Sequence, residues 1–224
     1  MRKKLSLSTL LIILGILLLI LSFGPLIKDE VWYFLKQLKN QQYLINDKNA
    51  QEDSVFARFL TTRPINMQPV NLDFSIIIEK IGVDAPIVAD VPVTNENMYK
   101  EALKRGVAHA AMSDYPSEKA GNVYLFAHAS LNFWDLGKYS TVFNLLRKLN
   151  LGDKIHVFYK NKMYVYEVVN KETVAGWDTK PLVRKTIEPV LTLQTCDPPG
   201  TTLNRFVVTA KLVEVADPNI PQGL

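Results

Sequence analysis

One thiol marks the place in this sequence where covalent chemistry is conceivable. Cys196 is the only cysteine among 224 residues, and it ends an alternating β-rich run at 189–196 that opens into a Pro-Gly-rich turn. A nucleophilic thiol needs a partner that takes its proton or stabilises the thiolate, and histidine is the usual one. Attack on an amide carbonyl also needs a group that stabilises the oxyanion. The sequence therefore raises the question of which histidine and which donor lie near Cys196.

Three histidines are candidates for the partner, and their positions differ. His156 lies in the middle of a β-rich run, where a packed or solvent-facing imidazole is the default. His109 follows a helical stretch and could serve there as a helix-end cation or a loop hydrogen-bonder. His128 ends the β-rich run 122–128, as Cys196 ends its own. Reactive side chains at the ends of two strands can meet at one mouth of a barrel, so His128 is the predicted partner.

Arg205 is the candidate for the stabilising donor. It opens the β-rich run 205–215 that follows the cysteine loop. An antiparallel return would bring the start of that run beside the end of the cysteine strand and place a permanent positive charge near the thiol. The alternative is a surface arginine that pairs with Asp197. The two interpretations differ in whether the guanidinium contacts the thiol or the carboxylate.

The elements that must position these residues are mostly short strands. Short β-rich segments predict strands at 74–80, 85–89, 122–128, 154–160, 163–169, 189–196 and 205–215. The fourth and fifth of these, joined through residues 160–162, predict a hairpin. Helical stretches are predicted at 95–106, with Asn95 as the N-cap, and at 139–153. We expect a mainly β fold, a closed barrel of about seven to eight strands with short helices.

The N-terminal residues predict a membrane anchor ahead of this barrel. The run 5–27 carries no charged residue and is long enough to cross a hydrocarbon core as a helix. It lacks the small-residue cleavage site of a signal peptide, which predicts an uncleaved transmembrane helix. The basic residues at 2–4 favour a cytoplasmic N-terminus. Trp32, Tyr33 and Phe34 could lie at the membrane interface or pack on the domain.

Charge and cysteine content limit the possible partners. The formal net charge of +4 and the pI near 9.0 are compatible with an anionic wall or membrane surface. No block of lysine and arginine with interleaved aromatic residues suggests nucleic acid as a partner. A single cysteine excludes an intramolecular disulfide, so the thiol is available for other chemistry.

Several motifs resemble those of the sortase family. TLQTC at 192–196, with Arg205 opening the next strand, resembles the Thr-Leu-X-Thr-Cys signature and its following arginine. Residues 104–130 resemble a Gly-Val-X-His segment, a proline loop and a Gly-Asn-Val run that leads to the catalytic histidine. Residues 74–88 resemble the start of the domain. Together these motifs span nearly all of 72–215.

The resemblance implies a role for each matching residue. It makes Cys196 the nucleophile, His128 the catalytic histidine and Arg205 the arginine that stabilises substrate and oxyanion. Two neighbours, Thr195 and Ala127, would shape the substrate site, although many sortases have glycine where this chain has Ala127. His109 would match the upstream histidine that takes no part in catalysis.

The resemblance also implies a reaction and its partners. Sortases of this kind cut an LPXTG-like sorting signal between Thr and Gly, hold the acyl chain as a thioester and pass it to an amine. The amine belongs to a wall peptide or a pilin lysine, and the product anchors a surface protein or extends a pilus. No cofactor or metal is needed. Calcium assists some members, but no carboxylate cluster indicates it here.

The implied organisation has three parts. Residues 1–27 would form a cytoplasmic tip and transmembrane anchor, 28–71 a juxtamembrane helix and spacer, and 72–224 the catalytic barrel with a short C-terminal tail. The enzyme would be a single-pass protein of the plasma membrane, with its catalytic domain outside the cytoplasm.

Other interpretations of the same residues stay open at this level. An L,D-transpeptidase type of enzyme would place histidine and cysteine in one short segment, and no histidine lies close to Cys196 in the sequence. A membrane-tethered cysteine peptidase would differ only in that water takes the acyl group. A non-catalytic β-barrel binding module would function normally after Cys196→Ala.

Overall fold

A closed eight-stranded β-barrel forms the body of the protein. The computed structural model describes residues 6–45, 62, 64–129, 138–139 and 141–218. The barrel strands are β3 (Phe74–Ile78), β4 (Val83–Val91), β5 (Val107–Ala110), β6 (Gly121–Phe126), β7 (Lys154–Tyr159), β8 (Lys162–Ala175), β9 (Pro189–Asp197) and β10 (Asn204–Ala216). Around the barrel their order is β10, β8, β7, β3, β4, β5, β6 and β9, with β9 pairing again with β10. The mainly β, closed-barrel prediction is therefore confirmed.

Each of the seven predicted β-rich runs contains a strand, and one strand of the barrel was missed. The missed strand is β5, whose four residues Val-Ala-His-Ala are all buried. It lacks the apolar-polar alternation of a half-exposed strand because both of its faces are covered. As a result His109, expected to act as a helix-end cation or a loop hydrogen-bonder, is part of the barrel wall.

The predicted hairpin between β7 and β8 is confirmed. Tyr159 pairs with Lys162 across the turn. The two residues between them, Lys160 and Asn161, have φ values of 50° and 58°. Two consecutive residues with positive φ form the tight turn that matches the twist of paired strands.

Of the two predicted helices in the barrel region, one is confirmed. The helix α2 (Glu96–Arg105) begins after Asn95, whose side chain accepts a hydrogen bond from the Met98 amide at 3.1 Å. The helix predicted at 139–153 is wrong: the described part of this stretch forms turns and a short 3-10 helix, Leu146–Lys148. Its fully buried residues are Phe143, Leu146 and Leu149. This spacing of three matches the period of a 3-10 helix.

Before the barrel, the described residues form one long helix and a small sheet. The helix α1 (Leu7–Leu38) continues without a break from most of the apolar run into most of the predicted juxtamembrane helix. Strands β1 (Tyr43–Ile45) and β2 (Ile65–Met67) pair in parallel. Over the residues that the structure describes, no helix has the length and apolar character needed to cross a membrane. The predicted transmembrane span is therefore not supported by the structure.

The last turns of α1 pack on the barrel. Tyr33 is buried in the main hydrophobic core, and the Trp32 indole donates to the Tyr43 hydroxyl at 3.1 Å. The Lys36 ammonium donates to two carbonyl oxygens of the 3-10 turn Glu79–Ile81, at 3.3 and 2.8 Å. Burial lowers the pKa of Lys36 to about 8. The aromatic residues of this helix were expected either to lie at the membrane interface or to pack on the domain. Trp32 and Tyr33 pack on the domain.

Candidate active site

The register of two parallel strands brings Cys196 and His128 to the same end of the barrel. β6 and β9 pair in parallel, and their last paired residues are Phe126 and Gln194. Continuing both chains by two residues places His128 alongside Cys196. Both side chains are half-buried, so each is supported by its surroundings and still open to solvent.

Hydrogen bonds from the cysteine segment hold the chain on both sides of His128. The Thr195 hydroxyl donates to the carbonyl oxygen of Ala127 at 3.0 Å. The amide of Gly200 donates to the carbonyl oxygen of Ala129 at 2.6 Å. The main chain at His128 is thus fixed to the strand that ends at the thiol and to the loop that follows it.

Arg205 contacts the thiol rather than the neighbouring carboxylate. It lies directly opposite Cys196 in the antiparallel pairing of β9 and β10, and its Nη1 donates to Cys196 Sγ at 3.5 Å. The carboxylate of Asp197 instead accepts from Arg147 Nη2 at 2.8 Å. Of the two contacts considered for Arg205, the structure therefore contains the one with the thiol.

The side chains of Cys196, His128 and Arg205 share the face of the sheet that points away from the barrel core. Successive residues of a strand point to opposite faces, and Leu191 and Leu193 of β9 belong to the hydrophobic core. Thr195 is on their face and is buried, whereas Cys196 is on the other. Thr195 can therefore support the site from beneath, while Cys196 is presented at the outer surface.

Tyr99 of α2 completes the surroundings of His128. Its ring stacks on Phe126, with centroids 5.5 Å apart and planes at 16°. It also meets the imidazole of His128 edge-on, with centroids 6.0 Å apart and planes at 72°. Burial raises the pKa of Tyr99, the nearby Cys196 raises it further, and Arg205 acts in the opposite direction. Tyr99 therefore lies within electrostatic reach of the thiol and the guanidinium as well as against the imidazole.

Tyr99 was not among the predicted site residues, although its sequence contains a usable signal. Tyr99, Ala102 and Leu103 follow the spacing of one helix face. Ala102 and Leu103 are buried, and Tyr99 packs against the core. The spacing predicts that this tyrosine faces the barrel, but no pattern within α2 indicates which strand end it would meet.

His109 lies in a closed pocket with both ring nitrogens engaged. Its Nδ1 accepts from the Asp90 amide at 3.4 Å. Its Nε2 lies 3.0 Å from both the Asp114 carbonyl oxygen and the Ser113 hydroxyl. The side chain is 0% exposed, and burial lowers its pKa. This imidazole is held neutral by its packing, and the structure does not bring it to Cys196.

His156 has the packed environment expected for a residue in the middle of a strand. It lies within β7 and is 4% exposed. Burial lowers its pKa to about 4, with a further lowering from Lys154. Among the residues described, none forms a hydrogen bond with its Nδ1. His156 is therefore a buried neutral imidazole on β7, which pairs with β3 and β8 and not with the strands that carry Cys196, His128 and Arg205.

Fold and site together define a class: a closed eight-stranded barrel that presents a thiol, an imidazole and a guanidinium at the ends of neighbouring strands. The sortase domain family matches residues 76–213. Sortase A of Listeria monocytogenes is 27% identical over 220 residues, which cover 95% of this chain and 92% of that protein. The chain belongs to the sortase family, whose members are cysteine transpeptidases.

Solved structures agree with this assignment. Sortase E1 of Streptomyces coelicolor is 26% identical, with a TM-score of 0.55 over 67% of this chain and 94% of that chain. Sortase C-3 of Streptococcus pneumoniae, at 17% identity, has a TM-score of 0.56 over 90% of this chain and 88% of that one. The second likeness concerns the fold alone.

Proposed function

We propose that this sortase cleaves an LPXTG-like sorting signal through a thioester on Cys196 and transfers the acyl chain to an amine. The observation that carries this proposal is the 3.5 Å contact between Arg205 Nη1 and Cys196 Sγ, at a strand end that also holds His128. The sulfur is thereby placed where a nucleophile has a permanent cation beside it. The same guanidinium is positioned to donate to an oxyanion that forms next to the sulfur.

In the acylation step, the Cys196 thiolate attacks the carbonyl carbon of the threonine in the sorting signal. A carbon–sulfur bond forms, and the carbonyl oxygen takes up the negative charge near Arg205. The carbon–nitrogen bond to glycine then breaks, and His128 donates a proton to the departing amine. The products are a thioester on Cys196 and a peptide with a free amino terminus.

In the second step, the acceptor amine attacks the thioester carbonyl. His128 takes a proton from the incoming nitrogen, the carbon–sulfur bond breaks and the thiolate is regenerated. Because a thioester conserves the reactivity of the acyl group, an amine can intercept it. One amide bond is exchanged for another, and neither step requires a metal or cofactor.

Thr195 and Ala127 are proposed to shape the site from below. The hydrogen bond from the Thr195 hydroxyl to the Ala127 carbonyl oxygen supports this role, since it fixes the strand ends that carry the nucleophile and the imidazole. Both residues are 5% exposed. We therefore expect them to act mainly by holding Cys196 and His128 at the correct separation.

A peptide substrate is supported by a solved relative. Sortase E1 of Streptomyces coelicolor was determined with a tripeptide in its active site. By analogy, we propose that the outer face at Cys196 accepts an extended peptide. The acceptor would be a wall peptide or a pilin lysine, and the product an anchored surface protein or pilin.

The reaction is tested on the whole chain by intact mass spectrometry. The protein is mixed with a panel of LPXTG-like peptides, with and without a glycine-type amine, beside Cys196→Ala as the matched control. We expect an acyl adduct that requires Cys196 and that the amine converts into a ligated peptide. Hydrolysis without ligation would indicate a cysteine peptidase instead. No adduct with any peptide, from a thiol that alkylates readily, would favour a binding module.

We also propose that the N-terminal region attaches the enzyme to the plasma membrane, with its N-terminus cytoplasmic and its barrel outside. The uncharged run 5–27 supports this, as does the exposure of apolar side chains such as Leu11, Ile16 and Ile20 along α1. In this arrangement residues 1–27 form the anchor, 28–71 the connection and 72–224 the catalytic barrel.

Membrane attachment is tested by fractionation of cells that express the full chain. We expect the protein in the membrane fraction, resistant to alkaline extraction, with the barrel digested by protease added outside intact spheroplasts. Leu14→Lys combined with Leu18→Lys should release it. Alkaline-extractable protein would indicate attachment at the surface instead of a span, and soluble wild-type protein would rule out the anchor.

A further inference from the structure

A carboxylate follows the thiol directly in the chain, and its negative charge must be compensated if it is not to oppose a negative charge on the sulfur. Asp197 is the last residue of β9, and its side chain is only 19% exposed. A negative charge close to a thiol disfavours the thiolate, because the two like charges repel. An unpaired carboxylate at this position would also attract Arg205, the residue that otherwise contacts Cys196.

Arg147 satisfies this carboxylate from another part of the molecule. Its Nη2 lies 2.8 Å from Asp197 Oδ1, and the Thr173 hydroxyl lies 3.4 Å from Oδ2. Because neighbouring residues in a strand point to opposite faces, these contacts hold Asp197 on the side away from Cys196.

The segment that carries Arg147 is itself fixed in place. The Lys171 ammonium of β8 donates to the carbonyl oxygens of Arg147 and Leu149, the first at 3.3 Å. On the other side, the Asn144 amide donates to Asp29 of α1 at 3.2 Å. An ion pair also joins Lys148 to Glu30 of α1 at 2.8 Å. The guanidinium of Arg147 is therefore presented by a short segment bonded to the barrel and to the N-terminal helix.

We propose that Arg147 is a positioning residue for the reaction. By pairing with Asp197 it compensates the charge beside the nucleophile and holds the carboxylate away from Arg205. Arg205 is then left to contact Cys196. This inference rests on the proposed function in one respect, that Cys196 is the nucleophile. It does not depend on which peptide or amine the enzyme accepts.

The test compares Arg147→Ala, Asp197→Asn and the double variant in the full chain. The rate of Cys196 alkylation by iodoacetamide is measured against pH, and ligation is measured in parallel. For Arg147→Ala we expect the midpoint of the alkylation profile to move up by about half a pH unit, as for one unit charge at a partly solvated distance. Ligation kcat/KM should fall about tenfold.

The double variant distinguishes charge control from simple anchoring. If the harm comes from an uncompensated carboxylate, adding Asp197→Asn to Arg147→Ala should return the alkylation midpoint to the wild-type value and recover most of the ligation rate. If the ion pair only anchors the loop, Asp197→Asn alone and the double variant would be as impaired as Arg147→Ala. That result would overturn the proposal, as would an unchanged alkylation profile in Arg147→Ala.

Two controls keep the test independent of folding and of substrate. Arg147→Lys retains the charge and should keep the wild-type alkylation midpoint, and a shift equal to that of Arg147→Ala would contradict the proposal. Alkylation needs no peptide. A wild-type protein that ligates no peptide but shows the expected alkylation series would count against the proposed substrate and still support the role of Arg147.

Discussion

Two histidines on neighbouring strands of the same barrel have opposite environments. His109 on β5 pairs with Leu125 of β6, and His128 follows the end of β6. His109 is enclosed, with Phe74 and Tyr115 against its ring at centroid distances of 5.5 and 4.5 Å. His128 is half-buried and lies alongside the strand end that carries the thiol.

The difference lies in the hydrogen-bond partners and the solvent exposure of each imidazole ring. Around His109, both ring nitrogens have partners from the main chain or from Ser113, so the ring serves to satisfy and pack a buried region. Around His128, the main chain is fixed on both sides by hydrogen bonds to the cysteine segment, while the ring stays open on one side. A firmly held main chain with an accessible ring is what a proton donor and acceptor needs.

The largest expected effect comes from replacing each of these two histidines by glutamine in turn. His128→Gln should reduce ligation kcat/KM by about 10²- to 10⁴-fold, the usual range for a lost general acid–base, with an unchanged melting temperature. His109→Gln should leave the activity per folded molecule close to wild type and lower stability by about 1–3 kcal/mol, because a buried hydrogen-bonded group is replaced by a poorer fit. Kinetics and thermal melting of both variants check this, and the comparison fails if the two phenotypes are reversed.

The second-largest expected effect is the pH dependence of folding stability that the buried imidazole of His156 causes. The unfolded chain titrates His156 near 6.5, whereas burial holds its folded-state pKa at about 4. As pH falls through this window, the unfolded state takes up the proton first, so stability present above pH 6.5 is lost down to about 4. The loss is at most about 3 kcal/mol.

The check is urea unfolding of wild type and His156→Leu between pH 7 and pH 4. The variant should lose less stability over this range than wild type. His109 has a lowered pKa as well, so part of the acid sensitivity should persist in His156→Leu and diminish further in the double variant with His109→Gln. Equal pH slopes in all three proteins would show that these rings do not titrate as their burial implies.

The smallest expected effect concerns Tyr99, whose ring contacts His128 as the ring of Tyr115 contacts His109. Tyr99→Leu should reduce kcat about tenfold by loosening the imidazole, since the flat ring against Phe126 and His128 is lost. Tyr99→Phe retains that ring and should stay within about threefold of wild type. Steady-state kinetics of the two variants suffice, and equal losses would assign the effect to the hydroxyl group instead.

The barrel and the main site residues could be predicted because their signals are local. Runs of five or more strand-forming residues mark the predicted strands, and the end of such a run marks where a side chain reaches a barrel mouth. Cys196, His128 and Arg205 could all be selected in this way. The short strand β5 could not, since its four residues are too few to form a recognisable strand pattern.

The supporting contacts of the site were beyond sequence reasoning for a different reason. Tyr99 and Arg147 reach the site from segments that are distant in the chain, and their role depends on how α2 and the 3-10 segment pack on the barrel. The stretch at 139–153 even gave a misleading signal, because apolar residues spaced by three fit both helix types over a short distance. Long-range packing of this kind is decided by the whole barrel.

The central claim is that the fold brings His128 and Cys196 to one site, and a cross-link tests it directly. Since Cys196 is the only cysteine, His128→Cys creates a single thiol pair, which a short bismaleimide should join within the molecule. Met112→Cys, at a position 71% exposed beyond β5, is the control. We predict an intramolecular cross-link in His128→Cys and none in Met112→Cys. Two accessible thiols that stay unjoined in His128→Cys would contradict the account.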